Sequence, residues 1–287
     1  DHEGIASPFT MLKRTGEYGG LAEARQAIST LGQKIRAEGL PEEISPFICG
    51  FTGRGHVSKG AQEMFNLLPT VEIRPEDLAG LATTGSYSRN AVYRVEFRKQ
   101  DLYEPFEPDA RFDLEEFERR PGSYREKFHR YAPFLTVLVN GVYWSPRYPR
   151  ILTREQLGAM YSSGERPSLK VVADISCDIE GSIEFTVRRT TSEHPVYVYE
   201  PVTGRAINGI SGDGPVVLAV DNLSAELPRE ASQSFGEGLM TFIPALARAD
   251  FTVPFEQLDV PREFKRAVIA HDGKLTGNFR YLNEYLL

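Results

Sequence analysis

The sequence contains few of the residues on which disulfide-rich, metal-binding and membrane proteins depend. Among its 287 residues there are two cysteines, Cys49 and Cys177, and both stand in apolar stretches. Two isolated thiols exclude a disulfide scaffold, have no metal-ligand or redox spacing, and predict buried, reduced side chains. No apolar run reaches the roughly 20 residues that cross a bilayer. We therefore expect no metal site and no membrane partner.

The charge balance narrows the class of protein further. The formal net charge is −7, and acidic and basic residues are mixed without a basic stripe, so nucleic acid is not expected as a partner. Hydrophobic residues make up 41% of the chain, which is enough for a substantial core. The opening residues, DHEGIASPF, lack the charged and apolar regions of a signal peptide. We expect a cytoplasmic location, with the mitochondrial matrix as the alternative.

The most informative stretch covers residues 47–68, FICGFTGRGHVSKGAQEMFNLL. An apolar run, clustered glycines and a helical pattern predict a strand, a tight turn and a helix. The turn is close to the G-x-G-x-x-G dinucleotide-binding fingerprint, which lets a pyrophosphate reach backbone N–H groups at a helix N-terminus. A packing turn without a ligand is the alternative. The predicted cofactor-binding residues are Gly53, Arg54, Gly55, His56, Val57 and Ser58, the last in place of the third glycine.

The next predicted strand, residues 70–73, carries two candidate contacts to a cofactor ribose. In dinucleotide-binding folds, a residue about 20 positions beyond the glycines contacts the adenosine ribose. Glu72 and Arg74 stand at that distance. A glutamate accepts hydrogen bonds from ribose hydroxyls and favours NAD, whereas an arginine pairs with a 2′-phosphate and favours NADP. The sequence leaves both choices open.

Three later apolar runs, each predicted to be a strand, lead into polar residues. Residues 134–143 contain Asn140 and Gly141, residues 169–174 lead to Asp178, and residues 216–220 lead to Asp221 and Asn222. Ligands of parallel sheets bind outside the carboxyl ends of the strands, so these residues are candidates for the site. Helices are predicted over residues 21–38, 113–119, 153–160, 230–247 and 261–269. Alternating strands and helices predict an α/β fold with a doubly wound parallel sheet.

Six segments, taken in order, resemble the lysine-ketoglutarate reductase half of the bifunctional lysine-degrading enzyme. They are FTGRGHVSKGAQEMFNLLP, LVNGVYWSPRYPRILT, ADISCDIEGSIEF, SEHPVYVYEP, AVDNLSAELPREASQSFG and AVIAHDGKLT. That half is similar to fungal saccharopine dehydrogenases and, more distantly, to alanine dehydrogenase and the soluble part of pyridine nucleotide transhydrogenase. The resemblance implies a Rossmann-like fold that condenses lysine with 2-oxoglutarate and reduces the product to saccharopine. It implies NADPH as the cofactor, with NAD as the alternative.

The resemblance also implies roles for the strand-end residues. Asn140 and Gly141 would border the cofactor. Asp178 matches the aspartate that faces the nicotinamide in alanine dehydrogenases, and Asp221 with Asn222 matches an Asp-Asn/His pair in the same cleft. Carboxylates there can stabilise a cationic iminium or ammonium group. We therefore expect Asp178 and Asp221 to be the catalytic residues and Asn222 to contact the cofactor.

One part of the family's pattern is not recognisable in this sequence. The family's proton-handling lysine and histidine come from an N-terminal domain, and Lys13 falls in no version of that motif. We expect residues 1–40 to be an interdomain helix and a remnant of that second catalytic domain, 41–247 the dinucleotide-binding domain, and 248–287 a return segment. A homo-oligomer, or a companion chain or domain, would then supply the missing groups. The alternatives are an NAD-dependent, lysine-forming saccharopine dehydrogenase and a non-catalytic nucleotide-binding or regulatory module.

Overall fold

The main feature of the computed structural model is a large mixed sheet, and the model describes residues 5–162 and 166–285. Residues 1–4 of the predicted segment 1–40 and residues 286–287 of the predicted segment 248–287 therefore lie outside the described residues. The chain divides into two units, Asp1–Leu227 and Pro228–Leu287. The first unit contains the main sheet and every residue predicted above for the site.

The main sheet of the first unit has two strands on one side of the glycine-bearing strand and five on the other. The strands of this unit are β1 (Ile48–Thr52), β2 (Thr70–Glu72), β3 (Val92–Phe97), β4 (Tyr103–Pro105), β5 (Tyr124–Glu126), β6 (Val137–Asn140), β7 (Val171–Asp174), β8 (Val196–Glu200), β9 (Arg205–Asn208) and β10 (Val216–Leu218). The order in the main sheet is β2-β3-β1-β6-β7-β10-β8-β9, while β4 and β5 form a separate antiparallel pair.

Six neighbouring strands of this sheet run parallel, namely β2, β3, β1, β6, β7 and β10. This arrangement confirms the predicted α/β, doubly wound, Rossmann-like fold. Two features differ from the prediction. Strands β8 and β9 add an antiparallel hairpin at one edge. Strand β3, and not β2, lies beside β1, with Phe51 opposite Glu96 and Thr52 opposite Phe97.

Helices cover the sheet and create two hydrophobic clusters. They are α1 (Leu21–Glu38), α2 (His56–Phe65), α3 (Leu78–Thr84), α4 (Lys99–Leu102), α5 (Leu114–Arg119) and α6 (Arg154–Ser162). Successive residues of a strand face opposite sides, and the neighbours Val92 and Tyr93 of β3 indeed belong to different clusters. Leu31 and Ile35 of α1 pack in the cluster that contains Val92.

Most predicted elements are present, some with shorter bounds. Helix α1 has the predicted bounds, and Gly39, with φ of 77°, ends it. Helix α5 begins with the predicted cap, because the Asp113 carboxylate accepts from the Glu116 N–H at 2.7 Å. Strand β6 is shorter than the predicted run 134–143, since Ala132–Phe134 forms a 3₁₀ turn and the chain leaves the sheet after Asn140.

The second unit is small and has little buried surface. It contains α7 (Pro228–Met240), α8 (Ile243–Arg248), α9 (Arg262–Ala267) and a short hairpin of β11 (Ala270–His271) and β12 (Lys274–Leu275). The prediction of one helix over 230–247 was wrong, because the chain breaks between α7 and α8, where Pro244 lacks the N–H that a continuous helix needs. In the part of the chain that the structure describes, no helix is long and apolar enough to cross a bilayer.

Candidate cofactor-binding site

The glycine turn leaves β1 with a backbone conformation that requires glycine. Gly53 has φ of 83°, and a Cβ atom there would lie 2.5 Å from the carbonyl oxygen of Gly141. The turn and the segment after β6 therefore meet backbone to backbone, and the Gly141 N–H donates to the Thr52 carbonyl at 3.2 Å. Two of the predicted residues, Gly53 and Gly141, thus form the crossing point between the two halves of the sheet.

Helix α2 starts directly after this turn, and the cavity beside the turn reaches Gly55, His56 and Val57 at its N-terminus. Its first backbone hydrogen bond runs from the Lys59 N–H to the Gly55 carbonyl at 3.1 Å, so the N–H groups of His56, Val57 and Ser58 have no partner within the helix. A Cβ atom at Gly55 would meet no heavy atom within 4 Å. Open space therefore lies against the N-terminus of a ten-residue helix, as a bound pyrophosphate requires.

Ser58 stands where the fingerprint has its third glycine, and the structure gives it a packing role. Its side chain is fully buried and its hydroxyl accepts from the Gln62 side-chain amide at 3.2 Å. A Cβ atom at Gly141 would lie 3.4 Å from the Ser58 backbone nitrogen, so the helix approaches the segment after β6 closely. In dinucleotide-binding folds, the third glycine of the fingerprint allows the same close packing of the helix against the sheet.

A cavity of about 980 Å³ opens beside the turn. Its lining includes the predicted residues Gly53, Arg54, Gly55, His56, Val57 and Gly141. The remaining lining comes from the end of β3, from α4 and α5, and from aromatic residues that include Phe117 and Tyr148. The volume suits a large cofactor. The residues present therefore fit the adenosine and pyrophosphate part of a dinucleotide.

The structure does not bring Glu72 and Arg74 to this cavity. They lie at the end of β2, and β3 separates that strand from β1. Glu72 pairs with Arg94 of β3. Arg74 pairs with the Asp77 carboxylate at 3.0 Å and with Glu76 at 3.1 Å. Both candidate ribose contacts are thus engaged with neighbouring side chains on the outer edge of the sheet.

The end of β3 carries charged residues that the sequence pattern did not single out. Arg98 and Lys99 line the cavity, and Glu96 pairs with Arg54 of the glycine turn at 3.2 Å. Their signal in the sequence is the apolar alternation over residues 91–97, which is followed directly by Arg98 and Lys99. Finding them required the knowledge that this strand pairs with β1.

Asn140 lies at the centre of a buried polar network at the ends of β1, β6 and β7. Its amide nitrogen donates to Asp174 and to Ser182, both at 2.8 Å, and its oxygen accepts from the Thr52 hydroxyl at 2.6 Å. Both amide hydrogens are therefore used inside the protein. The Asn140 side chain therefore holds three strand ends together. At this position a cofactor would contact the neighbouring backbone of Gly141.

Asp174 is the carboxylate of that network, and the sequence analysis did not select it as a site residue. It is fully buried and accepts from Asn140, from Ser176 at 2.7 Å and from Thr186 at 2.6 Å. Burial raises the pKa of Asp174, while these hydrogen bonds oppose the increase. The group therefore fixes the geometry of the strand end.

The predicted catalytic pair lies at the ends of β7 and β10, around Cys177. The Cys177 thiol donates to the carbonyl oxygens of Asp174 at 3.3 Å and Val220 at 3.2 Å, which joins the two strand ends. Burial, followed by the charges of Asp174 and Asp221, raises the pKa of Cys177 to about 11. Asp178 also contributes to this increase, so Asp178 and Asp221 both lie close enough to act on the thiol electrostatically.

The accessibility of these residues suits contact with a ligand. Asp178 is half-buried and Asp221 is exposed. Gly181 permits the tight turn after Asp178, because a Cβ atom there would lie 2.4 Å from the Asp178 Cβ. Asn222 is exposed and its side-chain oxygen accepts from the Ser224 hydroxyl at 2.9 Å. Within residues 5–162 and 166–285, no group of three or more His, Cys, Asp or Glu side chains is arranged to hold a metal ion.

Comparison with known proteins agrees with the resemblance inferred from the six segments. The chain is 36% identical to alpha-aminoadipic semialdehyde synthase of Arabidopsis thaliana over 97% of its own length and 26% of that protein. It is 32% identical to the mitochondrial alpha-aminoadipic semialdehyde synthase of Bos taurus over 98% of its own length and 31% of that protein. A Schizosaccharomyces pombe saccharopine dehydrogenase [NAD(+), L-lysine-forming] is 29% identical over 51% of the chain and 36% of that protein.

The chain thus spans less than a third of the length of the synthases that it matches. The family model for the alanine dehydrogenase/PNT, C-terminal domain covers residues 125–278, more than half of the chain. This range contains β6, β7 and β10 with their strand-end residues, and it begins after the glycine turn. The chain belongs to the alanine dehydrogenase/PNT C-terminal domain family.

Proposed function

We propose that this chain binds a nicotinamide dinucleotide and acts in lysine degradation, in the NADPH-dependent condensation of L-lysine with 2-oxoglutarate to saccharopine. The observation that carries the proposal is the similarity of 32–36% identity to alpha-aminoadipic semialdehyde synthases along almost the whole chain. The glycine turn supports it, because the free N–H groups of α2 face open space at the cavity. Substrates, cofactor and product would then be lysine, 2-oxoglutarate, NADPH and saccharopine.

The backbone of the turn would bind the pyrophosphate and so fix the direction of the cofactor. The N–H groups of residues 56–58 donate to the phosphates, and the helix dipole favours their negative charge. In that position, residues at the end of β3 would hold the adenosine, and residues at the ends of β6, β7 and β10 would border the nicotinamide. The bound cofactor supplies the hydride.

The carboxylates at the ends of β7 and β10 would act on the substrate nitrogen. The ε-amine of lysine and the ketone of 2-oxoglutarate form an imine with loss of water, and addition of a hydride and a proton gives the secondary amine of saccharopine. Asp178 and Asp221 stabilise the positive charge of the protonated imine. The network of Thr52, Asn140 and Asp174 holds the ends of β1, β6 and β7 in register, so the reacting atoms stay aligned.

Groups that move the protons would be contributed from outside the cleft described here. We propose that a further domain, a companion chain or a second copy of the chain supplies them. In the same scheme residues 1–40 and 248–287 would belong to the contact with that partner, and residues 41–247 would form the cofactor-binding part. Limited proteolysis with mapping of the fragments would test these boundaries. A mitochondrial location would agree with the names of the mammalian relatives, and a cytoplasmic one remains the expectation from the sequence.

The test of this proposal is direct titration of the chain with NADPH and NADH, followed by fluorescence or calorimetry. We expect saturable binding of at least one of them, and the proposal fails if neither binds. The rate of NADPH oxidation is then measured with lysine and 2-oxoglutarate together and with each alone. Oxidation that requires both substrates supports the condensation.

Two other functions give different results in these assays. An NAD-dependent, lysine-forming saccharopine dehydrogenase is favoured by the similarity to the fission-yeast enzyme, and it predicts preference for NADH over NADPH. A non-catalytic nucleotide-binding or regulatory module predicts tight binding of a cofactor without turnover. Turnover by the isolated chain would eliminate the second of these.

A further inference from the structure

The strand that lies next to the glycine strand determines which residues can reach the cofactor's adenosine ribose. In this structure that strand is β3, and the backbone registers Glu96 against Phe51 and Phe97 against Thr52. Strands in a sheet are about 4.8 Å apart, so the end of β2 lies about 10 Å from β1. In dinucleotide-binding folds, a residue at the end of the neighbouring strand contacts the ribose. The end of β3 therefore occupies the position at which the ribose is recognised.

The cavity connects the glycine turn to the same strand end. Arg98 and Lys99 line it together with Gly53 and Gly55, whereas no residue of β2 does. Phe117 and Tyr148 lie further along the lining and stack on each other with ring centroids 5.5 Å apart, which gives this part of the cavity an apolar wall. A cofactor whose pyrophosphate is bound at α2 can thus extend its adenosine along β3 without leaving the cavity.

Most charged side chains at this strand end form ion pairs within the described residues, and Arg98 stands outside these pairs with Asp101 as an electrostatic neighbour. Glu96 pairs with Arg54 at 3.2 Å and accepts from the Gln62 amide at 3.4 Å. Lys99 pairs with Glu118. Among the ion pairs that the described residues form, none involves Arg98, and its side chain is exposed. Arg74, in contrast, is held by two carboxylates.

We infer that Arg98, at the end of β3, binds the 2′-phosphate of NADPH, and that it is the residue by which this site selects NADPH over NADH. This inference rests on the proposed function. Arg98 supplies a planar guanidinium that can donate two hydrogen bonds to one phosphate. The pairing of Glu96 with Arg54 neutralises the carboxylate that would otherwise repel the phosphate. Arg74 has no part in cofactor selection.

The experiment compares Arg98→Ala with the matched control Arg74→Ala, using the dissociation constants of NADPH and NADH. Loss of the charged hydrogen bonds predicts that Arg98→Ala weakens NADPH binding about 10- to 100-fold and leaves NADH binding unchanged. Arg74→Ala should change neither. Both arginines are exposed, so both variants should fold, and thermal unfolding checks this.

A second pair of ligands tests the phosphate contact without the nicotinamide. Adenosine 2′,5′-bisphosphate should bind more tightly than adenosine 5′-monophosphate to the unaltered chain, and Arg98→Ala should remove the difference. The inference is overturned if Arg98→Ala keeps the wild-type affinity for NADPH, if it weakens NADPH and NADH equally, or if Arg74→Ala alone loses NADPH. It is also overturned if the unaltered chain binds NADH but not NADPH, a result that leaves nicotinamide binding itself intact.

Discussion

Addition of one methyl group at Gly55 should weaken cofactor binding at least about 10-fold and leave the fold intact. The backbone of Gly55 has φ of −78° and ψ of −175°, a conformation that alanine adopts freely. The new Cβ atom would meet no heavy atom within 4 Å. The residue precedes the first turn of α2, where alanine caps less well than glycine, so Gly55→Ala should cost less than about 1 kcal/mol of stability.

The effect on binding should be much larger, because the methyl group occupies the space through which a phosphate approaches the N–H groups of α2. Each lost hydrogen bond to a charged group is worth about 1.5–3 kcal/mol. We therefore expect the dissociation constants of NADPH and NADH to rise at least about 10-fold, and about 100-fold or more if two bonds are lost. Both cofactors should be affected alike, since both carry the pyrophosphate.

Two neighbouring glycines provide the controls. Gly53→Ala places a side chain at φ of 83° and 2.5 Å from the Gly141 oxygen, so it should cost about 2–5 kcal/mol of stability. Gly60→Ala lies inside α2, meets nothing within 4 Å, and should add about 1 kcal/mol without changing affinity. Urea unfolding and cofactor titration measure both quantities. If Gly55→Ala bound NADPH as tightly as Gly60→Ala, the phosphate would not lie on this turn.

Three further predictions concern the strand ends of β7 and β10. Asp178→Ala should slow NADPH oxidation in the catalytically complete enzyme about 10- to 100-fold with little change in stability. The control Asp213→Ala, at an exposed residue, should not slow it. Equal rates for the two variants would contradict the proposed role of Asp178. The unfolded chain loses the Cys177 proton near pH 9.0 and the folded chain near about 11, so stability should fall by roughly 3 kcal/mol as the pH rises through this window. Unfolding measurements on Cys177→Ala should lack this decrease. Burial raises the pKa of Asp174 in the folded chain above its ordinary 3.8. The stability that this proton contributes is therefore complete below pH 3.8 and is lost as the pH rises through the folded pKa. Relative to Asp174→Asn, the free energy of unfolding of the wild-type chain should fall over this range by about 1.4 kcal/mol for each unit by which the pKa is raised.

Local patterns in the sequence were sufficient for helix α1, for the glycine turn and for the cap of α5. Helix α1 was predicted with its observed bounds because its apolar spacing and Gly39 are local signals. The glycine turn was recognised for the same reason, since Gly53 and Gly55 lie within one short stretch. The Asp113 cap needed only the three residues that follow it.

The order of the strands could not be predicted in this way, because strand pairing joins residues that are distant in the chain. Nothing in residues 70–73 or 91–97 indicates which of them lies beside β1, and the assumption that the second strand does so led to Glu72 and Arg74. The partners of Asn140 were also hidden, since Ser182 lies 42 positions away. The roles of such residues depend on contacts that only the folded chain reveals.

The strand order also determines which charged residues lie on each side of the glycine turn. Between β1 and β6 the order of the sheet reverses direction, and at such a switch point the strand ends diverge to form a cleft. Toward β3 the cavity lining has Arg54, Arg98 and Lys99 against Glu118. Toward β7 and β10 the ends carry Asp178 and Asp221. Under the proposed function, a dinucleotide laid across the crossing of Gly53 and Gly141 would have Arg98 near its adenosine end and Asp178 and Asp221 near its nicotinamide end, so reversal of the cofactor would place the two ends against the wrong groups.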